Sequence, residues 1–300
     1  MFFQSVSKKT FELLDDLYLA SKSSLVGFAI NRLDTQLVSS RLSKATVTHQ
    51  SLGDKEFWVI DGLFNENENV ELRQYLNKAS FSLKSYGSQQ AIDQGEEPSY
   101  TMSGKERTLF LSHDFMGMRV FYQFLSFLSI SLEAEIATIP WELSDGISSS
   151  SPSIAINKCL QMSTSSQNLG EHKDVDPSSS LSFSVKSLYD GTSYPKAFEN
   201  GKIGHPWFVS CILYCCDESF LESYDLGTLL YSDDQSQKAQ VTIKPMRLAI
   251  FPSDMIHTIN ASSIPPQVKT WRVSIVFKLM ISPKNKQSHL PTLFKSLLSR

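Results

Sequence analysis

The run His172-Lys173-Asp174 places an imidazole and a carboxylate two residues apart. On a β-strand, residues two apart point to the same face. A second imidazole is available from a distant stretch, His257, which follows Pro252-Ser-Asp-Met-Ile256. Two imidazoles and one carboxylate on one face would bind an octahedral metal and leave three positions open. Further on, Trp271-Arg-Val-Ser-Ile-Val-Phe277 alternates and is rich in β-formers. It carries Arg272 inside a predicted strand core, where an unpaired guanidinium is costly. A planar, permanently charged fork there suits a carboxylate ligand. Ser274 shares its strand face and could donate to the same carboxylate.

The stretches between these residues read as a β-rich core. Ile154 to Met162 is the first predicted core strand, and Phe208-Val-Ser-Cys-Ile-Leu-Tyr214 is a second, buried one. A turn follows at Asp217-Glu-Ser219. Leu226-Gly-Thr-Leu-Leu-Tyr231 is a Gly-containing segment ending in a strand, and Lys244-Pro-Met-Arg-Leu-Ala-Ile-Phe-Pro-Ser253 is a strand and turn that would present His257.

In residue types and order, these pieces resemble the 2-oxoglutarate- and Fe(II)-dependent dioxygenases, in particular the prolyl-hydroxylase-like branch. The resemblance spans roughly Phe57 to Met280 and is strongest in the second half. It implies an α+β fold with a mainly β core, a double-stranded β-helix or distorted jelly roll, with supporting N-terminal helices. It implies that His172, Asp174 and His257 are the metal ligands and form the catalytic centre. Arg272, Ser274 and Tyr214 would contact 2-oxoglutarate. Fe(II), 2-oxoglutarate and O₂ are the implied cofactors and co-substrates, with ascorbate as a candidate reductant. The implied reaction hydroxylates a peptidyl or protein residue such as proline. A free small molecule is the alternative substrate, and a non-catalytic barrel that only binds is the alternative from another class. Retention of Asp174 argues against halogenation, because family halogenases lose that carboxylate. The chain departs from the family in two places. Asn157 and Lys158 stand in the strand where a Tyr is common, and fifteen residues separate His257 from Arg272, with Ile264-Pro-Pro-Gln267 predicted to absorb the surplus in a turn.

Composition bounds the rest. Three hundred residues, 41% hydrophobic and 20% charged, are those of an ordinary globular chain. A net charge of −3 offers no general attraction to nucleic acid. The single Arg within the strand after His257, Arg272, also fails to match the paired arginines of the nucleic-acid-demethylating branch. Cys159, Cys211, Cys215 and Cys216 form no CxxC pair and read as reduced core thiols. The start of the chain lacks the charged-then-apolar order of a signal peptide. Its longest early apolar run, Leu25 to Ile30, is far short of the ~20 residues that span a bilayer. A cytoplasmic protein without a membrane segment is expected.

The organisation expected is a helical extension over residues 1–55, a dioxygenase domain over 56–282 with its core barrel at 153–282, and a tail over 283–300. Thr10 to Leu33 reads as an amphipathic helix. Glu56 to Phe64 reads as a strand with a turn at Asp61-Gly62, followed by a helix capped by Asn65 or Asn67. Ser85 to Gly104 reads as a loop, Phe115 to Ile136 as an aromatic-rich core helix, and Ser144 to Pro152 as a linker-like joint. Residues 177–206 form a long insertion beside the His-x-Asp strand and are the candidate substrate lid. Lys173 should point away from the metal, and Asp176 is the fallback ligand. His113 and His205 are the rivals to His257. Leu290, Leu293, Phe294, Leu297 and Leu298 predict a tail helix that docks back on the domain.

Overall fold

The computed structural model describes residues 35–83, 100–102, 106, 109–110, 113–138, 140–142, 148–152, 154–159, 171–174, 200–216, 220–261, 263–265, 268 and 270–298. The predicted helix over Thr10–Leu33, the bulk of the 85–104 loop, Asp176 and residues 177–199 of the insertion lie outside this set.

Two antiparallel sheets dominate. The larger one is built from β1 (Thr46–Leu52), β2 (Lys55–Asp61), β3 (Phe81–Leu83), β4 (Tyr100–Met102), β5 (Ala134–Thr138), β8 (Ile154–Cys159), β9 (Trp207–Tyr214), β12 (Leu248–Pro252) and β14 (Arg272–Pro283). Its order is β1-β2-β12-β9-β14-β8-β4-β3, and β5 pairs with the far end of β14. The smaller sheet runs β11 (Lys238–Val241), β10 (Thr228–Tyr231), β13 (Ile256–Ile259). A separate pair joins β6 (Pro140–Glu142) to β7 (Ser148–Pro152).

Strand periodicity decides which face of the large sheet meets what. Trp58 and Ile60 of β2, Val209, Cys211 and Leu213 of β9, Leu248 and Ile250 of β12, and Ile275, Phe277 and Leu279 of β14 belong to one core. The helices supply the other half of that core. These are α1 (Thr35–Leu42), α2 (Glu66–Lys78), α3 (Met116–Ser131) and α4 (Leu290–Leu298). The residues in the opposite phase, Phe57, Val59, Ile212, Tyr214, Ala249 and Phe251, pack with Leu230 and Val241 of the small sheet. The large sheet is therefore covered on one face by helices and on the other by the small sheet. That explains why all eight residues of β9 are buried.

Local sequence explains the helix ends. Asn65 accepts from the Glu68 backbone N–H at 3.0 Å, and the Glu68 carboxylate accepts from the Asn65 N–H at 2.8 Å. This reciprocal capping box fixes the start of α2. Gly62, at φ +84°, makes the predicted turn before it. The expected tail helix forms and docks: Phe294 is fully buried, with its ring 4.8 Å from Trp58 and 5.2 Å from Trp207, both edge-on. Aromatic α3 lies against β14, Phe121 stacking on Phe277 at 4.2 Å.

Three expectations need correction. Tyr100–Met102, inside the expected 85–104 loop, is β4, paired with β3 and β8. The helix read over Phe115 to Ile136 stops at Ser131. Glu133 takes a positive φ of 47°, and Ala134–Thr138 becomes β5, drawn into the sheet by the free edge of the long β14. The joint read over Ser144 to Pro152 contains β7, paired with β6. Its serines carry no apolar alternation, so composition alone hid a strand. β1 was also unforeseen, because its residues are largely exposed on an edge.

Candidate metal centre

His172 and His257 meet across an antiparallel bridge. The His172 N–H donates to the His257 carbonyl at 3.1 Å, and the His257 N–H returns to the His172 carbonyl at 2.9 Å. Residues directly opposed in this way project to the same face, and the two ring centroids lie 4.3 Å apart. The turn before His257 closes as predicted, with the Met255 N–H donating to Pro252 at 2.9 Å. β13 then pairs with β10, setting Leu230 opposite His257.

Asp174 lies two residues beyond His172 and is almost fully buried. Its Oδ1 is 3.7 Å from His172 Nε2, and its Oδ2 is 3.6 Å from His257 Nε2. One ligand atom from each of the three residues lies within 4.8 Å of the others, a grouping able to hold a metal ion. His257 Nδ1 is 3.0 Å from the Met255 carbonyl, which can only accept. The proton therefore sits on Nδ1, and the Nε2 lone pair faces Asp174. Burial pushes the His257 pKa down to about 4, with the Met255 bond working weakly against it. The ring is neutral at pH 7, as a ligand must be. His172 is about one-third exposed, so the centre opens to solvent on its side.

Lys173, between the two candidate ligands, turns outward as expected and lies 3.4 Å from Asp233 Oδ1. Asp233 also takes a 2.7 Å bond from Lys55 Nζ. Burial raises the Asp233 pKa, but the two ammonium groups outweigh it and hold the carboxyl below its ordinary value. The rival histidines lie outside this cluster. Exposed His113 bonds the Leu109 carbonyl and stacks on Phe115, and exposed His205 sits in a turn onto Lys202.

Arg272 is buried at the start of β14. Nε donates to the Leu226 carbonyl and Nη1 to Ser274 Oγ, both at 2.9 Å. Its guanidinium carbon lies 5.4 Å from the centre of the Tyr214 ring. Tyr214 faces Ser274 in the β9–β14 register, and its hydroxyl pairs with Thr228 Oγ1 at 2.6 Å. Burial raises the Tyr214 pKa, partly offset by Arg272 and the Thr228 bond. Among the described residues no carboxylate pairs with Arg272. Arg247, by contrast, forms a two-pronged bond with Asp61, both contacts 2.7 Å, and is committed to the fold. The surplus before Arg272 includes the expected turn, Val268 N–H donating to Pro265 at 2.9 Å.

Several residues at this centre were not anticipated. Lys278 is buried and ion-pairs with Asp174 Oδ2. Ser210 Oγ donates to the same oxygen at 2.5 Å and lies 2.9 Å from Ser253 Oγ. The signal for Lys278 was available: it continues the phase of Arg272, Ser274 and Val276, which points away from the apolar helix-facing residues. The Leu226 carbonyl depends on irregular backbone. Asp225 and Leu226 have φ of 63° and 57°, and a side chain on Gly227 would meet the Val241 carbonyl at 2.5 Å. Two adjacent non-glycine residues at positive φ are costly.

No protein-family model matches the chain, and no curated protein matches it. Among solved structures, the chain is similar to HygX from Streptomyces hygroscopicus with nickel, 2-oxoglutarate and hygromycin B bound. The identity is 12% over 76% of this chain and 83% of that one, at a TM-score of 0.42. It is similar to a prolyl 4-hydroxylase from Phytophthora capsici, at 15% identity over 89% of this chain and 75% of that one, TM-score 0.39. It is also similar to SnoN, a non-heme alpha-ketoglutarate-dependent epimerase from nogalamycin biosynthesis. There the identity is 9% over 84% of this chain and 86% of that one, TM-score 0.42.

Proposed function

We propose that the chain is an Fe(II)- and 2-oxoglutarate-dependent dioxygenase that hydroxylates a peptidyl residue, proline being the first candidate. The observation that carries this reading is the pairing of the His172–Asp174–His257 cluster with a buried Arg272 that no described carboxylate neutralises. The donor set fits iron: two imidazoles, one with its Nε2 lone pair held ready, and one carboxylate. Arg272 fits a carboxylate ligand, because a bound anion would satisfy a charge that no carboxylate among the described residues matches.

In this reading His172, Asp174 and His257 hold the metal. Arg272 and Ser274 grip the distal carboxylate of 2-oxoglutarate. Tyr214, held by Thr228, backs the guanidinium and keeps that end of the site dry. Bound iron and 2-oxoglutarate supply the oxidation: with O₂, 2-oxoglutarate becomes succinate and CO₂, and one oxygen atom enters a substrate C–H bond. The protein's own contribution is orientation, open metal positions and exclusion of water.

The choice of a peptide substrate rests on the sequence resemblance to prolyl-hydroxylase-like enzymes. The test is succinate release from 2-oxoglutarate by the full chain under air with Fe(II). Wild type should release succinate, faster when the right peptide is present, and His172→Ala should release none above background. Equal release by both would refute the assignment.

A further inference from the structure

The proposed dioxygenase reading leaves one buried charge without a task. Lys278 lies on the inner face of β14 and is 5% exposed, and the register sets it opposite Ser210 of β9. Burying an ammonium group is expensive unless it is paired. It ion-pairs with Asp174 through Oδ2. Ser210 Oγ donates to that same oxygen at 2.5 Å and is braced by Ser253 at 2.9 Å. Oδ1 lies 3.7 Å from His172 Nε2, and Oδ2 is also 3.6 Å from His257 Nε2.

We propose that Lys278 is a positioning residue: with Ser210 it pins Oδ2 of Asp174, so that the carboxylate ligates a metal through Oδ1 alone. The proposal rests on the reading of His172, Asp174 and His257 as metal ligands. Its consequence follows from counting positions. Two histidines and a carboxylate bound through one oxygen leave three open sites on an octahedral ion. A carboxylate free to bind through both oxygens would close one of them. That loss would fall on a chelating 2-oxo acid, which needs two adjacent positions. Lys278 thus keeps the metal from being over-held by the protein, at some expense in metal affinity, because its own positive charge stands beside the ion.

The proposal predicts a split that simple packing would not produce. Full-length wild type, Lys278→Met, Lys278→Arg and Ser210→Ala would be titrated with Co(II) alone, read by its d–d absorption. The Mn(II)-loaded proteins would then be titrated calorimetrically with 2-oxoglutarate. Lys278→Met should bind Co(II) at least as tightly as wild type, with a changed absorption band at saturation. Its affinity for 2-oxoglutarate should fall about tenfold or more, the scale of losing a group that orients a ligand. Lys278→Arg, which keeps the charge, should retain the wild-type band. Ser210→Ala should shift in the same direction as Lys278→Met, by less, and carries the test if Lys278→Met does not fold. A wild-type band and unchanged 2-oxoglutarate affinity in Lys278→Met, or in Ser210→Ala in its place, overturn the proposal. So does a parallel loss of both affinities, which is the mark of a packing role. Failure of wild type to bind Co(II) overturns the parent reading, and this one with it.

Discussion

Ser210 and Lys278 face each other across β9 and β14, and both reach the same oxygen of Asp174. The carboxylate therefore has two roles, as a candidate ligand and as the counter-ion of a buried ammonium group. Removing it should do two kinds of damage, and removing His172 only one.

Asp174→Ala removes the counter-ion of a buried ammonium group, a loss that costs about 3–5 kcal/mol. His172→Ala removes a partly exposed ring and should cost well under about 1 kcal/mol. Urea unfolding of the metal-free proteins checks this. Both variants should nevertheless lose metal affinity by at least about 10–100-fold, since loss of supporting groups alone has effects of that size. Equal stability of the two variants would mean that Lys278 finds another partner.

Arg272→Lys retains charge but loses the fork that bonds Leu226 and Ser274 together. Calorimetry should show a 2-oxoglutarate affinity at least about tenfold weaker, with Mn(II) affinity unchanged. Arg247→Lys should leave 2-oxoglutarate binding alone, because that guanidinium is spent on Asp61. The reverse pattern would move the co-substrate site to the other arginine.

Asp233 ties Lys55 to Lys173, and so anchors the segment that carries His172 and Asp174. Its carboxyl is held below the ordinary value, so the unfolded chain takes up its proton first as pH falls. The stabilisation is therefore present above about pH 4 and is lost as pH drops through the lower folded value. Asp233 is half exposed, so the pair is screened and worth less than about 1 kcal/mol. The melting temperature of Asp233→Asn should lie slightly below that of wild type at pH 7, and the gap should close as the pH falls below about 4. A gap that persists or widens in acid would contradict this.

Phe294 anchors α4 between Trp58 and Trp207. Phe294→Ala should cost about 3–5 kcal/mol, read from the midpoint of urea unfolding. A cost below about 1 kcal/mol would mean that the tail helix is not part of the core.

The site was legible where chemistry and strand phase coincide. His172 and Asp174 were read as one face of a strand; the structure brings them together from a single bridge at His172 and a bend at Asp174, and the turn at Pro252–Met255 marked His257. Arg272 and Ser274 were legible because a strand repeats every two residues. Lys278 continued their phase in plain sight, but a lysine near a strand end reads as solvent-exposed until the covering sheet is known. Ser210 is chemically bland and gains meaning only from the carboxylate brought to it across the fold. The positive-φ backbone at Asp225 and Leu226 carries no glycine at either position to announce it. In the fold, β5 was lost because Leu132-Glu-Ala-Glu-Ile136 was read as the end of the aromatic helix, although its apolar and acidic residues alternate as a strand's do. β7 was lost among serines whose pairing partner, β6, is three residues long.

The central claim is that one site binds a divalent metal and, next to it, the dianion of a 2-oxo acid. The most direct measurement is the melting temperature of the full chain with Mn(II), with 2-oxoglutarate, and with both. A ligand that binds the native state stabilises it by RT ln(1 + [L]/Kd), about 2.7 kcal/mol at a hundredfold excess over Kd. The account predicts that 2-oxoglutarate raises the melting temperature only when Mn(II) is present, and that Arg272→Ala abolishes this increment while keeping the one due to Mn(II). No added stability from 2-oxoglutarate in metal-loaded wild type, or an equal increment in Arg272→Ala, would contradict it.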